Sequence, residues 1–303
     1  MTVDLAQLNR QLGAPGRIVF RGGNGGLPVA AMASVRGACE VCLYGGQVLN
    51  YRPAGHAPVL WLSPRAIFEE GKPIRGGIPV CWPWFGRHPS NASRPKHGFA
   101  RLRPWQVRGT SYTSQQSEIR LELREDETTL ALWPHAFELG LRVALDGALN
   151  LALTARNRGH EPFTYTQALH SYFFVRQVMD ISIRGLEGTR YRDETTDRDN
   201  LHQEGPVVIR GETDRVYRRT AAECIIGDPG IGRQITVRKR GSHTTVVWNP
   251  WSKPGRHWPD LGGDDYTRMV CVESANAGDD AVTLQPGEAH TLSLTILADL
   301  CAR

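Results

Sequence analysis

The chain has 303 residues, 40% of them apolar and 22% charged, with a formal net charge of +5. This is ordinary globular composition, and a chain of this length can bury a sizeable core. The excess of cations is spread along the sequence without a block of like charges, which excludes a basic nucleic-acid arm; it fits either plain solvated surface or the field of a site for a small anion such as phosphate.

The N-terminal stretch "MTVDLAQLNRQLG" lacks the basic-then-apolar pattern of a secretory signal. No run reaches the roughly 18 uninterrupted apolar residues of a membrane span. The six cysteines, Cys39, Cys42, Cys81, Cys224, Cys271 and Cys301, are sparse and read as reduced core thiols of a cytoplasmic protein. Cys39 and Cys42 form a C-x-x-C, a spacing used for zinc or redox work. No second such pair follows and no histidine pair stands at ligand spacing, while strand residues three apart point to opposite faces.

In chain order, a short helix is expected near residues 3–12. The "RGGNGG" at 21–26 lacks the spacing and βαβ context of a dinucleotide fingerprint. Strand-like runs then dominate: "CEVCLYGGQVLNYRP", "SEIRLELRED", "LRVALDGALNLALTARNRG", "QITVRKRGSHTTVVWNP", "TRMVCVESAN" and "HTLSLTILADL". Many alternate apolar and polar residues, as half-buried antiparallel strands do. Asp146–Gly147 reads as a hairpin turn between two of them, and Pro64–Phe68 as a further turn. With no repeat, low-complexity tract or break in composition, residues 1–303 read as one all-β domain of two large, packed antiparallel sheets with few short helices.

Six segments are candidates for chemistry. In "KPIRGGIPVCWPWFG" (72–86) two glycines and two prolines forbid a regular element; an ordered loop holding Arg75 between aromatics is either a site or a tryptophan-capped crossover. "RPKHGFARLRPW" crowds Lys96, His97, Arg101 and Arg103 around Gly98, a clamp for phosphate or sugar hydroxyls or a basic surface loop. In "YTQALHSYFFV", His170 interrupts an apolar run and is a satisfied core residue unless a partner is found. "MVCVESANA" offers one: Glu273, read at the end of a buried strand, needs hydrogen bonds or a raised pKa. A His and a Glu moved toward neutrality make a general acid–base pair. "GETDRVY" adds Asp214 and Arg215 on a loop entering a strand, and "VVWNPW" puts Trp248, Asn249 and Trp251 at a strand end. G-x-S-x-G, P-loop, H-E-x-x-H and His-x-His patterns are absent, whereas two-carboxylate glycoside hydrolysis stays open.

Together, and in their order along the chain, these six segments resemble the D-hexose-6-phosphate mutarotases (glucose-6-phosphate 1-epimerases) of the aldose 1-epimerase superfamily. "VLWLSPRAIFEEGKPIRGG" and "LQPGEAHTLSLTI" fit as well, so the resemblance runs from about residue 60 to the C-terminus. It implies a large β-sandwich of the galactose mutarotase type with the sugar on a concave sheet. It implies His170 as general acid and Glu273 as general base, and Arg75, Arg101 and Asp214 as substrate-binding residues. Lys96 falls at a binding position where some relatives have glutamine, and His97 would line the site beside the anomeric centre. The implied reaction interconverts α and β anomers of a hexose 6-phosphate, with no metal or other cofactor, in a monomer that engages neither nucleic acid nor membrane. A non-catalytic sugar-phosphate-binding module, a glycoside hydrolase or lyase, and a mutarotase of unphosphorylated sugars are the alternatives on such a fold.

Overall fold

A computed structural model describes residues 3–252 and 258–300; Cys301 lies outside them. Two eight-stranded antiparallel sheets dominate. One, the site sheet, runs in the order Arg198–His202, Arg190–Asp193, Thr213–Tyr217, Thr244–Asn249, Met269–Asn276, Gln167–Leu169, Val80–Cys81, with Tyr172–Phe174 also paired to Met269–Asn276. The other runs Ser182–Arg184, Cys224–Asp228, Arg233–Arg240, Ala289–Leu300, Leu149–Asn157, Phe137–Leu145, Ser117–Arg124, Gln106–Tyr112. The expected Asp146–Gly147 turn joins Phe137–Leu145 to Leu149–Asn157, with Gly147 at φ 108°.

Alternation decides what each face does. In Met269–Asn276, Val270 and Val272 enter the main core beside Val247 of the neighbouring strand and Ile226, Ile235, Leu292 and Leu294 of the other large sheet. The residues between them, Cys271 and Glu273, turn to the opposite face. A separate four-stranded sheet, Ile18–Gly22, Pro28–Ser34, Gly37–Cys42 and Gln47–Pro53, also feeds Ile18, Phe20 and Val48 into that core. Cys39 packs in the main core and Cys42 in a smaller cluster with Leu27 and Tyr44, so the C-x-x-C splits between faces. All five described cysteines are free and buried.

The expected first helix is Leu5–Leu12, capped by Asp4, whose carboxylate accepts the Gln7 N–H at 2.9 Å. A second, Glu127–Leu132, was not anticipated. It is a six-residue helix between strands, held by a reciprocal cap between Asp126 and Thr129. No helix among the described residues is long and apolar enough to cross a membrane.

The glycine pair in "KPIRGG" serves packing and is not among the residues lining the cavity described below. Gly76 (φ 110°) packs against the backbone at Leu62, and Gly77 (φ 62°) crosses the strand Gln47–Pro53, where a Cβ would stand 2.1 Å from the Val48 carbonyl oxygen. Gly77→Ala therefore costs about 1–3 kcal/mol of backbone strain before any clash is relieved, which urea unfolding of the purified variant measures. Trp82 is likewise core, against Phe99, Trp133 and Phe137, while the Trp84 indole N–H donates to the Pro95 carbonyl and props the loop that follows.

Candidate active site

Strand register lays out the floor of the site in two rows. Asp214 pairs with Trp248, Trp248 with Cys271, and Cys271 with Tyr172, giving one line of side chains across four strands. The next line runs Val216, Val246, Glu273. Asp214 lies within the strand Thr213–Tyr217 and Glu273 within Met269–Asn276, where both had been expected beside a strand. Glu273 is fifth of eight residues because Ser274, Ala275 and Asn276 continue the pairing with Gln167–Leu169.

His170 is aimed by a break in its strand. The ladder to Met269–Asn276 stops at Leu169 and resumes at Tyr172. In the gap the His170 N–H donates to the Pro79 carbonyl at 3.1 Å. The imidazole then stacks on Tyr172 (centroids 4.8 Å apart, 9° between planes), and its Nε2 comes 3.4 Å from Glu273 Oε1. Both residues are buried, at 7% and 1% exposure. Glu273 Oε2 has no hydrogen-bond partner among the described residues. Burial, reinforced by Asp214, pushes the Glu273 carboxyl well above the ordinary carboxylate range. Burial, reinforced by Arg101 and Arg75, holds the His170 imidazole well below the ordinary histidine range.

The cations arrive on loops. Gly98 at φ 74° brings its segment against the Trp82 carbonyl, where a Cβ would be 2.0 Å from the oxygen. This places His97 beside His170 with centroids 5.6 Å apart. The His97 N–H donates to the Gly86 carbonyl at 2.7 Å, and the Gly86 N–H donates back to His97 Nδ1 at 3.2 Å. With Nδ1 accepting, a neutral His97 carries its proton on Nε2. Burial and the Arg101 charge hold its pKa well below the histidine range. Arg101 donates to the Lys96 carbonyl at 2.6 Å and has no carboxylate partner among the described residues; its Nε is buried without a partner. Arg75 is bound differently: Nε and one terminal nitrogen donate to the two oxygens of Asp260 at 3.1 and 3.2 Å, and the other donates to the Tyr172 hydroxyl at 3.3 Å.

Every sequence-predicted site residue, Arg75, Lys96, His97, Arg101, His170, Asp214 and Glu273, lines one cavity of about 870 Å³. Its lining carries both signs, with Arg75, Lys96 and Arg101 from the loops and Glu194, Glu212 and Asp214. Burial, with Glu194 adding to it and Lys96 opposing it, lifts Asp214 to about 6. Three contributors were missed by sequence reasoning: Asp260, Tyr172 and Cys271. Tyr172 follows His170 by two residues, and that alternation was the available signal; Asp260 is 185 positions from the Arg75 it holds. Cys271 Sγ, the nearest His170 ring nitrogen and a Glu273 oxygen all lie within 4.8 Å of one another.

The profile of the aldose 1-epimerase family matches residues 33–297. The chain belongs to the aldose 1-epimerase family. Within that family, this chain is 38% identical over 274 residues to a Cenchrus ciliaris protein named "Putative glucose-6-phosphate 1-epimerase", covering 87% of this chain and 82% of that one. An Escherichia coli K12 protein of the same name is 34% identical over 249 residues, covering 82% and 83%. A solved structure of a "putative mutarotase" from Salmonella typhimurium superposes with a TM-score of 0.87 at 30% identity, covering 94% of each chain. The expected mutarotase-type β-sandwich is therefore the fold this epimerase-family chain adopts.

Proposed function

We propose that this epimerase-family protein interconverts the α and β anomers of a hexose 6-phosphate, with His170 and Glu273 exchanging protons with the sugar. The observation that carries the phosphate is Arg101, a guanidinium at the cavity wall with no carboxylate partner among the described residues. Its Nε is buried without a partner, and an anionic group on the ligand supplies both that bond and a counter-charge through the planar fork of the arginine. The names of the relatives support the same substrate class.

The proton inventory follows from geometry. Glu273 and His170 are 3.4 Å apart and both favour their neutral forms, so the pair holds one proton. Moving that proton across gives a carboxylate and an imidazolium with the same count. Glu273 as carboxylate then takes the proton of the anomeric hydroxyl while His170 gives its own to the ring oxygen. The C1–O5 bond breaks to an aldehyde, the C1–C2 bond rotates, and closure with the roles reversed yields the other anomer. In this reading Asp214, and Nε2–H of His97, bind sugar hydroxyls.

Two-dimensional exchange NMR on glucose 6-phosphate at equilibrium tests the proposal, run beside free glucose. Acceleration for the phosphate ester supports it. Equal acceleration of both sugars removes the phosphate argument, and binding shifts without exchange point to a non-catalytic module.

The Arg75–Asp260 pair makes a separate prediction. Asp260 fixes the fork of Arg75 against Trp258, 5.6 Å away. Asp260→Asn loosens Arg75 and is expected to raise KM for the phosphorylated hexose about tenfold, the loss of one charge-assisted pair, with kcat held. Steady-state kinetics on both sugars checks it.

A further inference from the structure

We propose that His170, Cys271 and Glu273 together bind a soft divalent cation, zinc or cadmium, and that its occupancy shuts the acid–base pair down. Cys271 and Glu273 stand two residues apart on one strand and so share its cavity-side face. The imidazole reaches the same point from the gap beside that strand, and the three donor atoms lie within 4.8 Å of one another.

Bonds of about 2.0–2.3 Å to a tetrahedral zinc set neighbouring ligand atoms roughly 3.3–3.7 Å apart. Nε2 of His170 and Oε1 of Glu273 are already 3.4 Å apart, and side-chain rotation closes what remains. Three protein ligands leave the fourth position to water, on the cavity side, since His170 and Glu273 both line the cavity.

Charge decides whether such a complex tolerates its surroundings. A dication bound by a thiolate, a carboxylate and a neutral imidazole has no net charge, so it meets Arg101 and Lys96 without the repulsion a bare ion would feel. Arg75 is already compensated by Asp260. The thiol and carboxyl protons displaced on binding leave to bulk water. The sulfur ligand selects soft metals, whereas magnesium and calcium require oxygen ligands in greater number.

The inhibitory consequence rests on the catalytic reading above, because the metal occupies the two groups that move protons; the binding itself does not. The test therefore begins with binding. Cobalt(II), titrated into the purified full chain, is expected to give a thiolate-to-cobalt charge-transfer band that saturates at one equivalent, is displaced by zinc and is untouched by magnesium. Cys271→Ser removes the band although the other five cysteines remain. His170→Asn, which keeps the thiol, weakens cobalt binding at least about tenfold, the loss of one ligand or its support. No band, or an undiminished band in Cys271→Ser, overturns the site.

In the exchange assay, zinc is expected to inhibit the parent at concentrations at least about tenfold below those needed for Cys271→Ser, with each variant compared with its own metal-free rate. A Cys271-dependent band without inhibition would overturn the shutdown and, with it, the catalytic roles of His170 and Glu273, while leaving the metal site in place.

Discussion

Replacing Glu273 with glutamine, or His170 with asparagine, is expected to lower anomeric exchange by about 10²–10⁴-fold each, the range for one positioned proton-transfer group. Glu273→Gln keeps shape and polarity, and His170→Asn keeps a polar amide in place of the ring at the cost of its stack on Tyr172, so in both the proton chemistry is what is lost. The two groups act on one shared proton, and so the double variant should lose little beyond the worse single one. Near-full exchange in either variant, with an unchanged circular dichroism spectrum, would sink the assignment.

The same pair predicts two pH dependences. A second proton enters on His170, whose pKa lies below the ordinary 6.5, and the shared proton leaves from Glu273, whose pKa lies above the ordinary 4.5. Activity should thus fall on the acid side only below the usual histidine range, and on the alkaline side only above the usual carboxylate range. Stability carries its own sign. The folded-state pKa of Glu273 is raised above the unfolded value, so its contribution is fully present below the unfolded pKa and is lost as pH rises through the folded one. Glu273→Gln should therefore match the parent in thermal melts at low pH and exceed it progressively as pH rises.

Much of this site was legible because strand alternation is a local property. The "MVCVESAN" run puts Val270 and Val272 on one face and Cys271 and Glu273 on the other, and the structure keeps that division. The run "TRMVCVESAN" ends at Asn276 in the sequence as in the structure, where pairing to Gln167–Leu169 carries the strand that far; Glu273 looked terminal within it only because Ser274 and Ala275 are weak strand formers. The helix Glu127–Leu132 escaped notice because six residues show less than two turns of periodicity; its signal was the Asp126–Thr129 cap. The four-stranded sheet was not separated from the large ones because its strands alternate in the same way and nothing local states which strand pairs with which. Asp260 was beyond reach for the same reason: its role exists only through a partner 185 positions away. The seven candidate residues did converge, although each was ambiguous alone, because their segments supply one face of one sheet and the loops above it.

Arg101→Ala is expected to lower kcat/KM for the phosphorylated hexose by about 10–10²-fold, the value of charge-assisted hydrogen bonds worth roughly 1.5–3 kcal/mol, and to leave the free hexose nearly unchanged. Arg101 and Arg75 differ in a way that ranks them. Arg75 spends its fork on both oxygens of Asp260 and touches Tyr172, which stacks on His170. Its removal disturbs the floor beneath the His170 imidazole and so should cost both sugars something. Among the described residues the Arg101 side chain makes one bond, to the Lys96 carbonyl, and has donors to spare. Its loss should therefore separate the substrates more cleanly. If the phosphate also orients the anomeric centre, part of the Arg101→Ala loss will fall on kcat, because binding energy from a non-reacting group is then used in the transition state. A loss confined to KM would mean that the phosphate anchors the sugar without aligning it. Equal losses on both sugars would place Arg101 against the hexose ring and leave the phosphate to the other cations lining the cavity, Arg75 and Lys96 among them.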